Sequence, residues 1–73
     1  MSDFKLEFGT QIRRLRARID ITQIELAERL GVSENMVKGY ESGKYGPEFD
    51  KLPKFAEALE VSVSGLFDFD AGD

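Results

Sequence analysis

The sequence predicts an all-α fold of five helices, with the second and third joined as a helix-turn-helix. Three observations carry that expectation. Apolar residues recur at helical spacings: Phe8, Ile12, Leu15 and Ile19, then Leu26 and Leu30, then Val37 and Tyr40, then Leu52, Phe55, Ala56 and Leu59. Start signals precede two of these stripes, with Thr22 and Glu25 in a Thr-x-x-Glu capping box and Ser33 as an N-cap. Breakers fall between them, namely Gly31, Gly43, Gly46 and Pro47.

The first helix is expected over residues 5–18, capped by Asp3 or Ser2, with Asp20 and Ile21 as the link to the next. The second starts just after Thr22. It stops at Gly31, because glycine tolerates the left-handed backbone that ends many helices. Val32 sits in the turn and can plug the gap between the helices, while Ala27 is small where they cross. The third runs from about Glu34 to Glu41; its capping box is incomplete, because Met36 stands where a Glu or Gln would be. An αα-hairpin inside some other small bundle is the bland alternative. Asp50 is the expected N-cap of the fourth helix, which places Pro53 in a first turn where no amide donor is missed. Ser62 should cap a short fifth helix carrying Leu66 and Phe67. Residues 68–73 are expected to form an acidic, fraying tail outside a domain of residues 1–67.

Composition narrows the function. Seventy-three residues make one domain, and a chain this short buries only about 60–65% of the surface it exposes when unfolded. Such a core leaves little room for a deep cleft. There is no cysteine and no histidine, so thiolate and imidazole chemistry are absent. No metal-ligand cluster, phosphate-cradling glycine loop or nucleophile–base pair is visible, so no enzyme, metal, cofactor or small-molecule ligand is expected. No apolar run approaches the roughly 20 residues of a membrane span, and a cytoplasmic location is expected.

From Phe8 to Leu66 the residues come in a characteristic order. They are Phe8-Gly9, Ile12, Leu15-Arg16, Thr22-Gln23, Leu26-Ala27, Leu30-Gly31-Val32-Ser33, Val37, Tyr40-Glu41, Gly43-Lys44 and Pro47. Leu52, Phe55-Ala56, Leu59, Val61-Ser62 and Leu66 continue it. This ordered set resembles the Cro/CI-type helix-turn-helix family of phage and bacterial regulators, the XRE family. The resemblance implies a compact, five-helix, lambda-repressor-like domain. It further implies a regulator that binds double-stranded DNA, most often a repressor on a pseudo-palindromic operator.

Charge is the main objection. The chain carries a net charge of −4, whereas nucleic-acid modules are usually basic. The distribution is uneven: residues 1–22 are net +2, residues 23–46 net −1 and residues 47–73 net −5. Screening over about 8 Å at physiological salt limits how far the acidic end repels DNA.

Carried over residue by residue, the resemblance assigns Glu34, Asn35, Lys38 and Gly39 to base reading. Asparagine pairs bidentately with adenine, and glutamate accepts from cytosine N4. Glu34 has a second explanation, since a carboxylate in a first turn favours the helix dipole. Gly39 either lets the helix lie close to a base edge or reads nothing. Gln23, Ser33, Ser42 and Lys44 are assigned to phosphates, Gln23 at a helix N-terminus that attracts anions. Met36 suits a thymine methyl or the apolar edge of its helix, and Arg13 or Arg14 could reach a phosphate.

Arg16 and Glu41 fall where the family places a charged pair linking the first helix to the recognition helix. If both are partly buried, Arg16→Met should be better tolerated than Glu41→Ala, which would strand a cation. The resemblance also implies a homodimer formed through the last helices, with Val63, Phe67 and Phe69 as interface candidates. A different class of function keeps the same fold: a protein-interaction module, antitoxin-like or anti-repressor, with weak or no DNA binding. The negative charge, Glu34 and Gly39 favour it.

Overall fold

Asp3 starts the first helix, its carboxylate accepting from the amides of Lys5 at 2.9 Å and Leu6 at 3.4 Å. The computed structural model describes residues 3–69. Within them the chain forms α1 (Phe4–Arg18), α2 (Gln23–Leu30), α3 (Glu34–Ser42) and α4 (Leu52–Leu59). Two 3₁₀ turns, Phe49–Lys51 and Ser64–Phe67, flank α4, and there is no strand among the described residues.

The capping box of α2 is complete. Thr22 Oγ1 accepts from the Glu25 amide at 3.0 Å, and Glu25 Oε1 accepts from the Thr22 amide at 2.9 Å. The bond from the Thr22 backbone, and then the interaction with the Thr22 hydroxyl, hold the Glu25 carboxyl below its ordinary pKa. Gly31 then turns left-handed at φ 72°, and the Val32 amide bonds back to the Ala27 carbonyl at 3.0 Å. Ser33 caps α3 by accepting from the Met36 amide at 3.2 Å, and Gly43 ends it at φ 83°.

Two elements differ from expectation. Asp50 does not cap α4: it lies inside the first 3₁₀ turn, closed by the Lys51 amide on the Glu48 carbonyl at 3.0 Å. That turn delivers the chain into α4 without a side-chain cap, and Pro53 still falls in the first turn. The expected fifth helix is the second 3₁₀ turn. Its amides close i→i+3 bonds, Gly65 to Ser62 and Leu66 to Val63, and the segment is too short to nucleate an α-helix. Ser62 Oγ does receive the Gly65 amide, at 3.2 Å.

The apolar faces meet in one core of Phe8, Ile12, Leu26, Val37, Phe55, Leu59 and Leu66, all fully buried. Each such side chain contributes about 1.5–3 kcal/mol on leaving water. Phe55 stands edge-on to both Phe8 and Tyr40, with ring centres 5.4 and 5.0 Å apart. Gln11, buried on α1, donates to the Gly65 carbonyl at 2.9 Å and ties the last turn to α1. Arg14 donates to the Phe69 carbonyl at 2.9 Å. Phe69 also packs on Phe4 and Phe67, so this residue of the segment expected to fray lies against α1. Residues 70–73 of that segment, and Ser2, fall outside the described residues.

Candidate nucleic-acid interface

Helix α3 crosses α1 at Gly9. A Cβ there would collide with the Tyr40 carbonyl oxygen and lie 2.6 Å from the Glu41 carbonyl oxygen, so the two backbones touch. Beside this crossing Arg16 forks onto Glu41, Nε to Oε2 at 2.8 Å and Nη2 to Oε1 at 3.2 Å. Arg16 Nη1 also donates to the Ile21 carbonyl at 3.0 Å, and Gln23 Nε2 donates to Glu41 Oε1 at 3.0 Å. One carboxylate therefore gathers α1, the start of α2 and α3.

Burial argues for the opposite order of tolerance in this pair. Glu41 is 5% exposed against 19% for Arg16. Removing Arg16 would trap an anion that, among the described residues, only Gln23 still hydrogen-bonds. Removing Glu41 leaves a cation with the Ile21 carbonyl and a path to water. By burial, the costlier deletion is expected to be Arg16, because the deeper charge would lose its partner.

The opposite side of α3 is open. Ser33, Asn35, Met36, Lys38, Gly39, Ser42, Lys44 and Tyr45 line a shallow groove along it. Asn35 and Lys38 are exposed. Glu34 lies apart, in a neighbouring depression shared with Thr22 and Gln23 at the start of α2. It also reaches Lys38 Nζ at 3.8 Å, an i,i+4 pair that partly neutralises the groove.

Several expected contacts sit differently. The Gln23 amide is turned inward to Glu41, engaging one of its two N–H donors. Ser42 is exposed at the groove, with its one O–H donating to the Gly39 carbonyl at 3.2 Å. Ser33 Oγ receives an amide, which leaves its own proton available to an anion. Gly39 does not lie bare toward solvent, because the Tyr45 ring covers it. Arg13 donates to the Glu41 carbonyl at 3.3 Å, while Arg14 is drawn to the last turn. Val63 is exposed, whereas Phe67 and Phe69 are half-buried among Phe4 and Phe8.

Tyr45 is the groove residue that sequence reasoning passes over. The available signal is an aromatic one turn of loop beyond a helix glycine; that signal says nothing of where the ring folds back. No helix among the described residues is long and apolar enough to cross a membrane. Nor do three or more metal-ligating side chains gather among them.

The helix-turn-helix family model HTH_3 matches residues 12–66. Over 61 residues the chain is 36% identical to an uncharacterized HTH-type transcriptional regulator of Archaeoglobus fulgidus, covering 84% of this chain and 86% of that protein. It is 41% identical over 61 residues to the cryptic phage CTXphi transcriptional repressor RstR of Vibrio cholerae, spanning 84% of this chain and 54% of the repressor. Among solved structures, the clp gene regulator ClgR from C. glutamicum superposes with a TM-score of 0.88 at 28% identity, over 99% of this chain and 94% of that one. The helical fold is thus a known architecture, and the chain belongs to the helix-turn-helix family HTH_3, the Cro/CI-type or XRE group of DNA-binding regulators.

Proposed function

We propose that the chain is a sequence-specific reader of double-stranded DNA that regulates transcription in the cytoplasm, as a repressor, by occupying a pseudo-palindromic operator as a homodimer. The observation that carries this reading is the groove outside α3. It sets Asn35 and Lys38 toward solvent while backbone contact at Gly9 and the Arg16–Glu41 fork fix the helix behind them. The likeness to a phage repressor supports the sense of regulation. Asn35 would pair with adenine in the major groove, with Lys38 beside it and Glu34 at the rim. Ser33, Lys44 and the free N–H of Gln23 suit phosphates, the last together with the amides that open α2. Val63, with the exposed parts of Phe67 and Phe69, offers apolar surface to a second copy.

Selection of bound sequences from a random duplex pool tests the reading. A dimer with one reading helix per subunit should return pseudo-palindromes with half-site centres about 10 bp apart. The slope of log K against log[salt] should be shallow, about −3 to −6, because few cations face the groove. Sedimentation with the selected duplex should give two chains per site. If a folded protein enriches no sequence at about 50 mM salt, the Glu34–Lys38 pair and the net charge of −4 favour the interaction-module alternative.

A further inference from the structure

Helix α3 has no side chain at Gly39, midway along its outer side. The space is nonetheless filled. A Cβ at Gly39 would collide with Cε2 and Cδ2 of Tyr45, six residues on, so the ring lies directly on the helix backbone. The loop is pinned in that position. The Lys44 and Tyr45 amides both donate to the Gly39 carbonyl, at 2.9 and 3.2 Å, and Ser42 Oγ donates to the same oxygen. The ring also stands edge-on to Tyr40, 6.1 Å away. Its outer side is open, at 37% exposure. Lys44 Nζ lies 5.3 Å from the ring centre, and the hydroxyl has no hydrogen-bond partner among the described residues.

From this arrangement we infer that Tyr45 is a DNA contact, a phosphate anchor laid onto the reading helix through the gap at Gly39. The inference rests on the proposed DNA reading and adds to it a residue and a reason for the glycine. A phenol with a lysine ammonium over its ring is suited to donate to a phosphate oxygen, and tyrosine is among the side chains that do so. The ring is rigid once seated, so little freedom is lost when the hydroxyl is engaged. In this view Gly39 reads no base. Its role is to leave room for an aromatic that reaches the backbone of the same groove.

The test uses the full chain, with a selected duplex and an unrelated duplex as probes. Circular dichroism melts confirm that each variant folds. Tyr45→Phe keeps the ring and removes the hydroxyl. It should weaken binding about tenfold, alike on both duplexes, since a bond to a charged group is lost. It should leave the salt slope unchanged, because a neutral hydroxyl releases no counterion, whereas Lys44→Ala should flatten the slope by about 1. Gly39→Ala displaces the ring and should weaken binding in the wild-type background, yet add nothing in Tyr45→Ala.

Wild-type binding with Tyr45→Phe and Tyr45→Ala unimpaired overturns the inference and leaves the DNA reading intact. Weakening confined to the selected duplex overturns the phosphate assignment. An equal loss from Gly39→Ala in both backgrounds overturns the link to Gly39. Wild-type protein that binds neither duplex ends both the DNA reading and this inference.

Discussion

Toward α1, helix α3 presents backbone and a buried carboxylate; away from α1 it presents polar side chains and a glycine covered by the Tyr45 ring of the following loop. The inner side is crowded to the point that a single methyl at Gly9 has nowhere to go, and Glu41 is held by Arg16 and Gln23. On the outer side Asn35 is exposed, and Lys38 makes only a loose pair with Glu34. The difference teaches how a small domain aims a helix. Rigidity comes from contacts that water cannot reach, and chemistry is displayed where contacts are few.

The sharpest way to break the contrast is at the fork. Arg16→Met should destabilise the fold by about 3–5 kcal/mol, because it strands the Glu41 carboxylate. Glu41→Ala should cost less, since Arg16 is nearer water. Chemical denaturation of the two variants gives the ranking; the opposite order would mean that the carboxylate is not the trapped partner.

Gly9→Ala should follow at about 1–3 kcal/mol, the cost of forcing two packed helices apart. Its diagnostic is a loss of DNA affinity beyond the unfolded fraction, since α3 would be re-aimed. A destabilised variant that binds normally once folded would separate the crossing from the aim.

Thr22→Ala should cost about 1 kcal/mol through the lost cap of α2. The partner carboxylate gives this prediction a pH signature. Its folded pKa is lowered, chiefly by the Thr22 backbone bond and then by the Thr22 hydroxyl. The stabilisation from ionised Glu25 is therefore complete above the ordinary glutamate pKa of about 4.3 and is lost as pH falls through the lower folded value. A melting-temperature gap between wild type and Glu25→Gln should exist at neutral pH and close in acid. A gap that persists at the lowest pH would come from something other than charge.

Smallest in stability is Asn35→Ala, expected within about 0.5 kcal/mol of wild type because the side chain is exposed. In binding it should be far from silent, with discrimination at one symmetric pair of positions falling by about 1–3 kcal/mol per half-site. Binding profiles over a mutated operator series read this directly.

Much of the fold was legible because its signals are local. The capping box at Thr22 and Glu25, the left-handed Gly31 and the stripe from Phe8 to Leu15 each lie within a few residues of what they determine. Whether a short segment closes i→i+3 or i→i+4 bonds is not written in its pattern, so the last turn read as a helix. Asp50 carries a good cap signal, but the turn at Phe49–Lys51 takes the chain past it before α4 begins. The site shows the same division. Asn35 and Lys38 face outward by helix geometry alone. The inward turn of Gln23 depends on Glu41, eighteen residues away, and the cover on Gly39 depends on a loop folding back.

The backbone contact at Gly9 has a consequence for redesign. The orientation of α3 is set by main-chain atoms and by residues on its inner side, none of which appears in the outer groove. A library that randomises Glu34, Asn35 and Lys38 would therefore draw on surface positions alone, and most of its members should be folded proteins. Altered operator preference becomes a search through side chains at constant architecture, with Gly9 and the Arg16–Glu41 fork left untouched.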